Sequence, residues 1–509
     1  MKSRFALISP LLFSAMTLLF ASGFSMQAQV PGKGAGEGRV DDFQQAQEAH
    51  KKAYEAFRTQ KKADFEAWRK QRNEEYVKFL KQTWEKEDSK EAVKPKKEAP
   101  VVPPVYLPEI ETDPEDKEVD VEVIDVVFDF PAPAPVPKIA YKPSKPEKAL
   151  SFRFYGTDAT IHFDPSQKVS LTDCKEAGVA DFWSALSSGG HEGVLRDCLT
   201  AAERMDLCDW AYYKLCEQAA AQLYKGNEAT LFHAWLLTQS GFCLRLGRAN
   251  DKIYLLPSTE EIIFRTSYFV LSEKKYYVID KDNESRSMHI IGQDFQGTRP
   301  MRLRQKNGNR LSFRPSAVRT RKTERNVKTD IVCNENMIAF LGDYPSFGIA
   351  GTQQIDWVNC CNTPLTDEAK TKLYTQLKER IKGMNELDAA NLLLNYVQIA
   401  FEYKTDDEVW GRERAFFPEE TLYYPYCDCE DRAILFSRLV NDLLGLEAIL
   451  VHYPGHLATA VHFNTDVKGD YFEVDGKRYI VCDPTFFNAP VGKTMTTMDN
   501  RKATVYRIL

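Results

Sequence analysis

Residues 426–445 read YCDCEDRAILFSRLVNDLLG, and this stretch decides the fold of the C-terminal part of the chain. Its apolar residues recur at helical spacing, which predicts a helix. Asp428 is placed to cap that helix, Asp431 completes an acidic variant of the capping box, and Gly445 supplies the stop. Cys429 then lies in the first turn, where unpaired backbone N–H groups and the helix dipole favour a thiolate. We therefore expect a thiol with a lowered pKa.

A set of short strands is predicted to follow this helix. Alternating apolar residues and an Asp-Gly turn predict an antiparallel meander over Glu447–Tyr453, His456–Phe463, Asp470–Val474 and Lys477–Cys482. A helix followed by such a meander indicates an α+β fold.

The second of these strands carries two histidines. His456 and His462 share one face with the two intervening alanines, because side chains alternate along a strand. The small alanines predict that the helix approaches on this face, which would bring Cys429 towards one of the histidines. Asp483 follows the last strand and is placed to orient an imidazole.

The order and spacing of these motifs resemble those of the transglutaminase-like superfamily, within the papain-type thiol enzymes. The resemblance rests on Cys-Glu-Asp-x-Ala at a helix start (Cys429), His at the start of a later strand (His456) and Asp-Pro-Thr after the next hairpin (Asp483). The run Asp428-Cys429-Glu430-Asp431 is particularly similar to the bacterial transglutaminase-like cysteine peptidases. The similar part is about Leu387–Leu509, the C-terminal quarter of the chain.

This resemblance implies a triad in which Cys429 is the nucleophile, His456 the base and Asp483 the residue that orients the imidazole. It implies attack on an amide carbonyl and an acyl-thioester intermediate, resolved by water in a peptidase or amidase and by an amine in a cross-linking acyltransferase. Strand parity leaves His462 equally oriented as the base. We favour His456 because Pro454-Gly455 places it at the mouth of the strand, beside the helix start. The expected substrate is a peptide, a protein or cell-wall material.

Other interpretations of the same residues stay open. The domain can be a catalytically silent binding or scaffold protein at the cell envelope. Upstream residues offer weak candidates for an oxyanion donor, namely Trp410, Gln353 and Gln354. Alternatively, Cys427, Cys429 and Cys482 can hold zinc together with a histidine. No cofactor and no metal site is expected for the thiol enzyme, although calcium dependence stays open.

Composition places the chain among ordinary globular proteins. Its 509 residues correspond to about three to four domain-sized pieces. With 67 basic and 73 acidic residues the formal net charge is −6, so no global positive field favours nucleic acid as a partner. The 11 cysteines are too scattered for a small disulfide scaffold, and we expect mostly buried thiols.

The N-terminal part of the sequence predicts that the protein is exported. Lys2 and Arg4 precede an apolar run from Phe5 to Phe20, which is typical of a signal peptide over 1–28. We therefore expect a periplasmic or extracellular protein of the cell envelope.

An aromatic pattern predicts a long amphipathic helix over 40–91. Aromatic residues repeat every 11 residues in two series, Phe43, Tyr54, Phe65, Tyr76 and Phe57, Trp68, Phe79. Eleven residues make three helical turns, so these rings stay on one face of the helix. Such a stripe must be buried, which predicts a coiled coil, self-association or docking on the rest of the chain.

The remaining boundaries follow shifts in composition. A Pro-rich acidic linker is predicted over 92–148, and an α+β module of unknown role over 149–335. A connecting segment over 336–386 leads to the transglutaminase-like domain over 387–509.

Overall fold

The computed structural model describes the chain at residues 52, 56, 60, 66–107, 121–126, 147–279, 287–305, 308–323, 327–349 and 352–508. Helices and strands both form large parts of these residues, so the α+β class predicted from the sequence is confirmed. Residues 68–509 belong to one compact unit. The predicted signal peptide over 1–28 and the aromatic positions 43, 54, 57 and 65 lie outside the described residues.

Helices form where apolar residues recur at helical spacing, and strands form where they alternate. The first helix ends at residue 80. The later α-helices are Glu176–Ser187, Glu192–Arg204, Asp209–Leu223, Gly226–Gln239, Glu335–Gly342, Trp357–Asn362, Asp367–Ile381, Glu386–Ala400, Asp406–Val409, Pro418–Tyr423 and Cys429–Leu444. The strands before the last sheet are Glu85–Asp88, Lys148–Phe154, Thr157–Phe163, Leu244–Ala249, Lys252–Pro257, Ile262–Ile263, Tyr268–Leu271, Lys274–Tyr277, Ser287–Ile290, Arg319–Lys322, Lys328–Ile331, Phe347–Gly348, Glu402–Tyr403 and Tyr426–Cys427. None of the described helices is both long and apolar enough to cross a membrane.

The first helix packs on the body of the compact unit through an aromatic residue of the predicted stripe. Residues 68–80 are helical, and the ring centroid of Tyr76 lies 5.0 Å from that of Trp183 and 5.3 Å from that of Phe295. The strand Glu85–Asp88 follows and pairs antiparallel with a later strand. The helix predicted over 40–91 therefore ends at residue 80. Of its described stripe residues, Tyr76 is buried against the same chain, Phe79 is half-buried and Trp68 is exposed.

In the part of the chain that the structure describes, six strands form the sheet that carries the C-terminal region. Their order across the sheet is Tyr471–Val474, Lys477–Cys482, His456–His462, Glu447–Tyr453, Thr504–Arg507 and Glu122–Ile124. Neighbours are antiparallel except at the edge, where Glu122–Ile124 runs parallel to Thr504–Arg507. The four strands of the predicted meander are all present, and the edge strand comes from the predicted linker over 92–148.

The helix Cys429–Leu444, here called the site helix, packs on one face of this sheet. Its Leu439 lies in one core cluster with Val461 of the strand that carries the histidines. Ala458 and Ala460, which were expected to receive the helix, lie in a separate core cluster on the opposite face. That expectation was wrong because the apolar side chains of the helix pack with Leu457 and Val461, on the other face of the strand.

Candidate active site

Cys429 is the first residue of the site helix, as the sequence predicts. Asp428 is the N-cap, and its backbone N–H donates to Asp431 Oδ2 at 3.4 Å. Gly445 ends the helix in the left-handed conformation, with a φ of 68°. Local sequence therefore sets both ends of the helix. These ends fix the Cys429 side chain in the first turn, where the residue is 9% exposed.

His456 and Asp483 form a buried pair. His456 is the first residue of its strand, and its Nε2 lies 2.9 Å from Asp483 Oδ2. With the Asp483 carboxylate oxygen as the acceptor, the Nε2–H of His456 is the donor in this contact, and Nδ1 is left to exchange a proton. Nδ1 is buried and has no hydrogen-bond partner within the described residues.

Backbone and amide groups hold the Asp483 carboxylate in position. Its Oδ1 accepts from the backbone N–H groups of Thr485 at 2.9 Å and Phe486 at 3.3 Å. The side chain of Gln398, on the helix Glu386–Ala400, donates to the backbone carbonyls of Asp483 at 3.0 Å and Phe486 at 2.7 Å. Sequence reasoning did not find Gln398, and its only signal was an amide within an otherwise apolar helix face.

Cys429 and His456 both line one small cavity of about 70 Å³. Leu457, the next residue of the strand, lines the same cavity, and its backbone N–H acts to lower the pKa of the Cys429 thiol. Of the three residues of the predicted triad, Cys429 and His456 therefore line one cavity, and Asp483 contacts the His456 ring.

His462 lies away from the thiol. It is the last residue of the strand that His456 begins. Its Nδ1–H donates to the backbone carbonyl of Arg478 at 2.9 Å, and the residue does not line the cavity. Alternation along the strand did not distinguish the two histidines. Their positions at opposite ends of the strand do, because only His456 lines the cavity with Cys429.

The Cys429 thiol has an acidic partner. Its S–H donates to Glu430 Oε2 at 3.1 Å. Burial raises the pKa of Cys429 well above its usual range, and the charges of Glu430 and Asp428 raise it further, whereas the Leu457 N–H lowers it. The expected lowering of this pKa was therefore wrong, because burial and two adjacent carboxylates outweigh the helix dipole.

Further carboxylates lie behind Glu430. Asp406, Glu413 and Glu430 each offer one carboxylate oxygen, and these oxygens lie within 4.8 Å of one another. Burial raises the pKa of Asp406 to about 10 and that of Glu413 to about 8, and in both the charge of Glu430 adds to the effect. We call these three residues the acidic cluster. Its one weak signal in the sequence is the run Asp406-Asp407-Glu408.

The acidic cluster is the group of described residues that could hold a metal ion. Calcium takes oxygen ligands at about 2.5 Å, so ligands on opposite sides of the ion are about 5 Å apart, which agrees with the spacing in the cluster. Glu430 Oε1 and the neighbouring Asp428 Oδ1 are buried without a hydrogen-bond partner in the described chain. The residues therefore fit a divalent cation with a preference for oxygen.

The cysteines do not form the zinc site that was left open. All eleven are free thiols, nine of them buried, in agreement with the expectation of mostly buried thiols. Cys482 donates to the carbonyl of Ile480 at 3.5 Å. Within the described residues, neither Cys427 nor Cys482 belongs to a cluster of metal-binding side chains with Cys429.

Trp357 supplies a free donor that sequence reasoning missed. It is 6% exposed and lines the same cavity as Cys429, and its indole N–H has no acceptor among the described residues. Of the expected oxyanion donors, Gln354 lines the cavity, whereas Trp410 does not and lies under the guanidinium of Arg414 at 4.4 Å. The carbonyl of Gln353 accepts from the backbone of Lys96 at 2.8 Å.

Comparison of the chain with known protein families, with curated proteins and with solved structures found no match.

Proposed function

We propose that residues 387–509 are a transglutaminase-like thiol domain and that the protein is an exported cysteine peptidase or amidase of the cell envelope. Its substrate would be a peptide, a protein or cell-wall material. The observation that supports this function best is that Cys429 and His456 line one small cavity, while Asp483 contacts the His456 ring. A thiol, a base and a residue that orients the base are the minimum set for nucleophilic catalysis on an amide.

The first half of the reaction forms a thioester. The Cys429 S–H passes its proton to His456 Nδ1, and the sulfur bonds to the carbonyl carbon of the amide. The carbonyl oxygen becomes an oxyanion, for which the Trp357 indole N–H is the available donor. The carbon–nitrogen bond then breaks as the imidazolium gives its proton to the leaving amine.

The second half releases the acyl group. His456 Nδ1 takes a proton from water, and the water oxygen attacks the thioester carbon. The carbon–sulfur bond breaks, and the proton returns to the sulfur, which restores the Cys429 thiol. Asp483 holds the ring in the same orientation through both halves and stabilises the imidazolium.

The residues of the acidic cluster would hold a calcium ion if the enzyme uses one. A bound ion would supply positive charge beside Glu430 and so offset the carboxylates that raise the pKa of Cys429. The chain's own residues carry every proton transfer described above.

A specific observation favours a second candidate, the catalytically silent binding or scaffold protein. The Cys429 thiol donates to Glu430 rather than to an imidazole, and its pKa is raised. A thiol held in this way is a poor nucleophile at neutral pH. The two candidates therefore differ in whether the thiol proton reaches His456.

Turnover of a general protein substrate by wild type and two serine variants tests the proposal. We expect wild type and Cys427→Ser to hydrolyse fluorescently labelled casein and Cys429→Ser to be inactive. Incorporation of monodansylcadaverine into casein, again dependent on Cys429, would instead assign acyl transfer. Equal rates in wild type and Cys429→Ser, with all three proteins folded, would reject the thiol enzyme and favour the silent candidate.

A further inference from the structure

An extended segment from the predicted linker lies beside the candidate active site. Residues 96–106, here called the strap, contain no helix and make a single isolated β-bridge, at Val105. Lys96, Lys97, Glu98 and Pro100 line the same cavity as Cys429 and His456. The strap is thus a peptide of this chain that already occupies the surface a substrate would have to reach.

The strap is held at the turn that precedes His456. The backbone N–H of Gly455 donates to Glu98 Oε2 at 2.6 Å, and the Val101 N–H donates to the Gly455 carbonyl at 3.3 Å. His452 Nε2 lies 3.1 Å from the same Glu98 oxygen. A Cβ at Gly455 would lie 2.2 Å from the backbone oxygen of Ala99, so only glycine permits this close approach.

The strap also contacts other parts of the chain before and after the residues that meet this turn. Lys97 forms an ion pair with Asp407 at 2.6 Å. Farther along, the Tyr106 N–H donates to the Phe487 carbonyl at 2.8 Å, and the Phe487 N–H donates to the Pro104 carbonyl at 3.1 Å. Phe487 lies four residues after Asp483, so the strap contacts the backbone on both sides of the His456–Asp483 pair.

We propose that the groove formed by His452, Gly455 and Phe487 is the binding site for an extended substrate peptide and that the strap is its competing occupant. The preferred ligand carries a carboxylate where Glu98 lies, followed by a small residue and proline. This inference rests on the proposed function, because it names the substrate class of the same site.

Two kinds of contact support this ligand class. Backbone hydrogen bonds to Gly455 and Phe487 recognise an extended chain of any sequence, as in other cases of peptide addition to a strand or turn. The carboxylate position is specific, since the Gly455 N–H and the His452 ring converge on one Glu98 oxygen. A tethered strap acts at an effective concentration of about millimolar, so a substrate must compete with it or bind after it leaves.

The test releases the strap in the full chain and measures alkylation of Cys429. The double variant Glu98→Ala/Val101→Pro removes the carboxylate and one N–H donor. Its matched control is Glu91→Ala, which changes an exposed glutamate outside the strap. Labelling by iodoacetamide is followed by peptide mass spectrometry, and the added ligand is a synthetic peptide with the sequence of Lys96–Val102.

We expect Cys429 in the released variant to label about tenfold faster than in wild type and in the control. The synthetic peptide at millimolar concentration should return the rate to that of wild type. Equal rates in the released variant and the control, or a rate that the peptide leaves unchanged, would overturn the groove assignment. Slow labelling of the fully buried Cys482 in every variant shows that the fold is retained.

Two further variants keep the outcomes distinct. Glu98→Gln alone is a mild change that keeps the side-chain volume, and we expect it to accelerate labelling less than the double variant does. Adding His456→Ala to the released variant should slow labelling again. If it does not, the proposed thiol enzyme fails while the groove stands; if only the strap variants have no effect, the groove fails while the enzyme stands.

Discussion

Two buried groups of titratable residues lie beside Cys429. One offers a base for the thiol proton, and the other accepts a hydrogen bond from the thiol and raises its pKa. On the imidazole side, His456 is paired with Asp483, and the Nδ1 of the ring is free within the described chain to accept a proton. On the carboxylate side, Glu430 accepts the thiol hydrogen, and Asp406 stands behind it with a raised pKa. The difference shows that a helix N-terminus does not by itself make a reactive thiol, because the neighbouring charges decide where the proton resides.

Removal of the imidazole should have the largest effect on this comparison. His456→Ala deletes the base, so we expect casein hydrolysis to fall by about 10²–10⁴-fold. His462→Ala is the matched control, because His462 lies at the other end of the strand, and its rate should stay within about twofold of wild type. A similar loss in both variants would contradict the separate roles of the two histidines.

Removal of the negative charge at Glu430 should have the opposite effect and make the Cys429 thiol more reactive. Glu430→Gln keeps a hydrogen-bond acceptor beside Cys429 but removes the charge that raises the thiol pKa. We expect Cys429 to be alkylated about tenfold faster at neutral pH, since each factor of ten corresponds to about 1.4 kcal/mol. Glu402→Gln changes an exposed carboxylate and should leave the rate unchanged. A slower rate in Glu430→Gln would mean that the carboxylate assists the thiol.

Calcium should stabilise the carboxylate side. A cation bound by Asp406, Glu413 and Glu430 would offset their mutual repulsion. At a concentration 100 times its Kd, an ion that binds only the folded state adds about 2.7 kcal/mol, which raises the Tm by several degrees. Differential scanning fluorimetry with and without calcium measures this shift. The shift should be absent from Asp406→Asn/Glu413→Gln, and its persistence there would place the ion elsewhere.

Glu420 is a further buried carboxyl group, and its ionisation should make the free energy of unfolding depend on pH. Burial raises its pKa to about 7, although Arg414 opposes the change. An unfolded glutamate titrates near about 4.3, so between these values the folded state binds more protons. This contribution to stability is therefore complete below about pH 4 and is lost as the pH rises through about 7. We expect a loss of about 2 kcal/mol between pH 5 and pH 8 in urea unfolding, and a smaller loss in Glu420→Gln.

Local patterns were sufficient for the elements of the site. The capping residues Asp428 and Gly445 mark the ends of the site helix, and alternation marks the strands Glu447–Tyr453 and Lys477–Cys482 with the bounds found in the structure. These features depend on interactions between residues close in the sequence. Cys429 and His456 each begin an element, and both line one cavity.

Long-range features were not predictable from the same patterns. Alternation shows which residues share a face with Ala458 but not which face receives the helix. Asp406, at the start of the helix Asp406–Val409, and Glu413, which follows that helix, reach Glu430 from a separate part of the chain, so the acidic surroundings of Cys429 had no local signal. The strap likewise reaches Gly455 from more than three hundred residues earlier in the chain, where its prolines suggested a spacer.

The His456 imidazole and the Glu430 carboxylate compete for the Cys429 thiol proton. The pH profile of Cys429 alkylation is the most direct test of this competition. The profile is measured in wild type, Glu430→Gln and Glu430→Gln/His456→Ala, by iodoacetamide labelling and peptide mass spectrometry. We expect wild type to react only at alkaline pH, Glu430→Gln to move the profile to lower pH, and loss of His456 to reverse this movement. Identical profiles in all three proteins would contradict it, because neither group would then control the thiol.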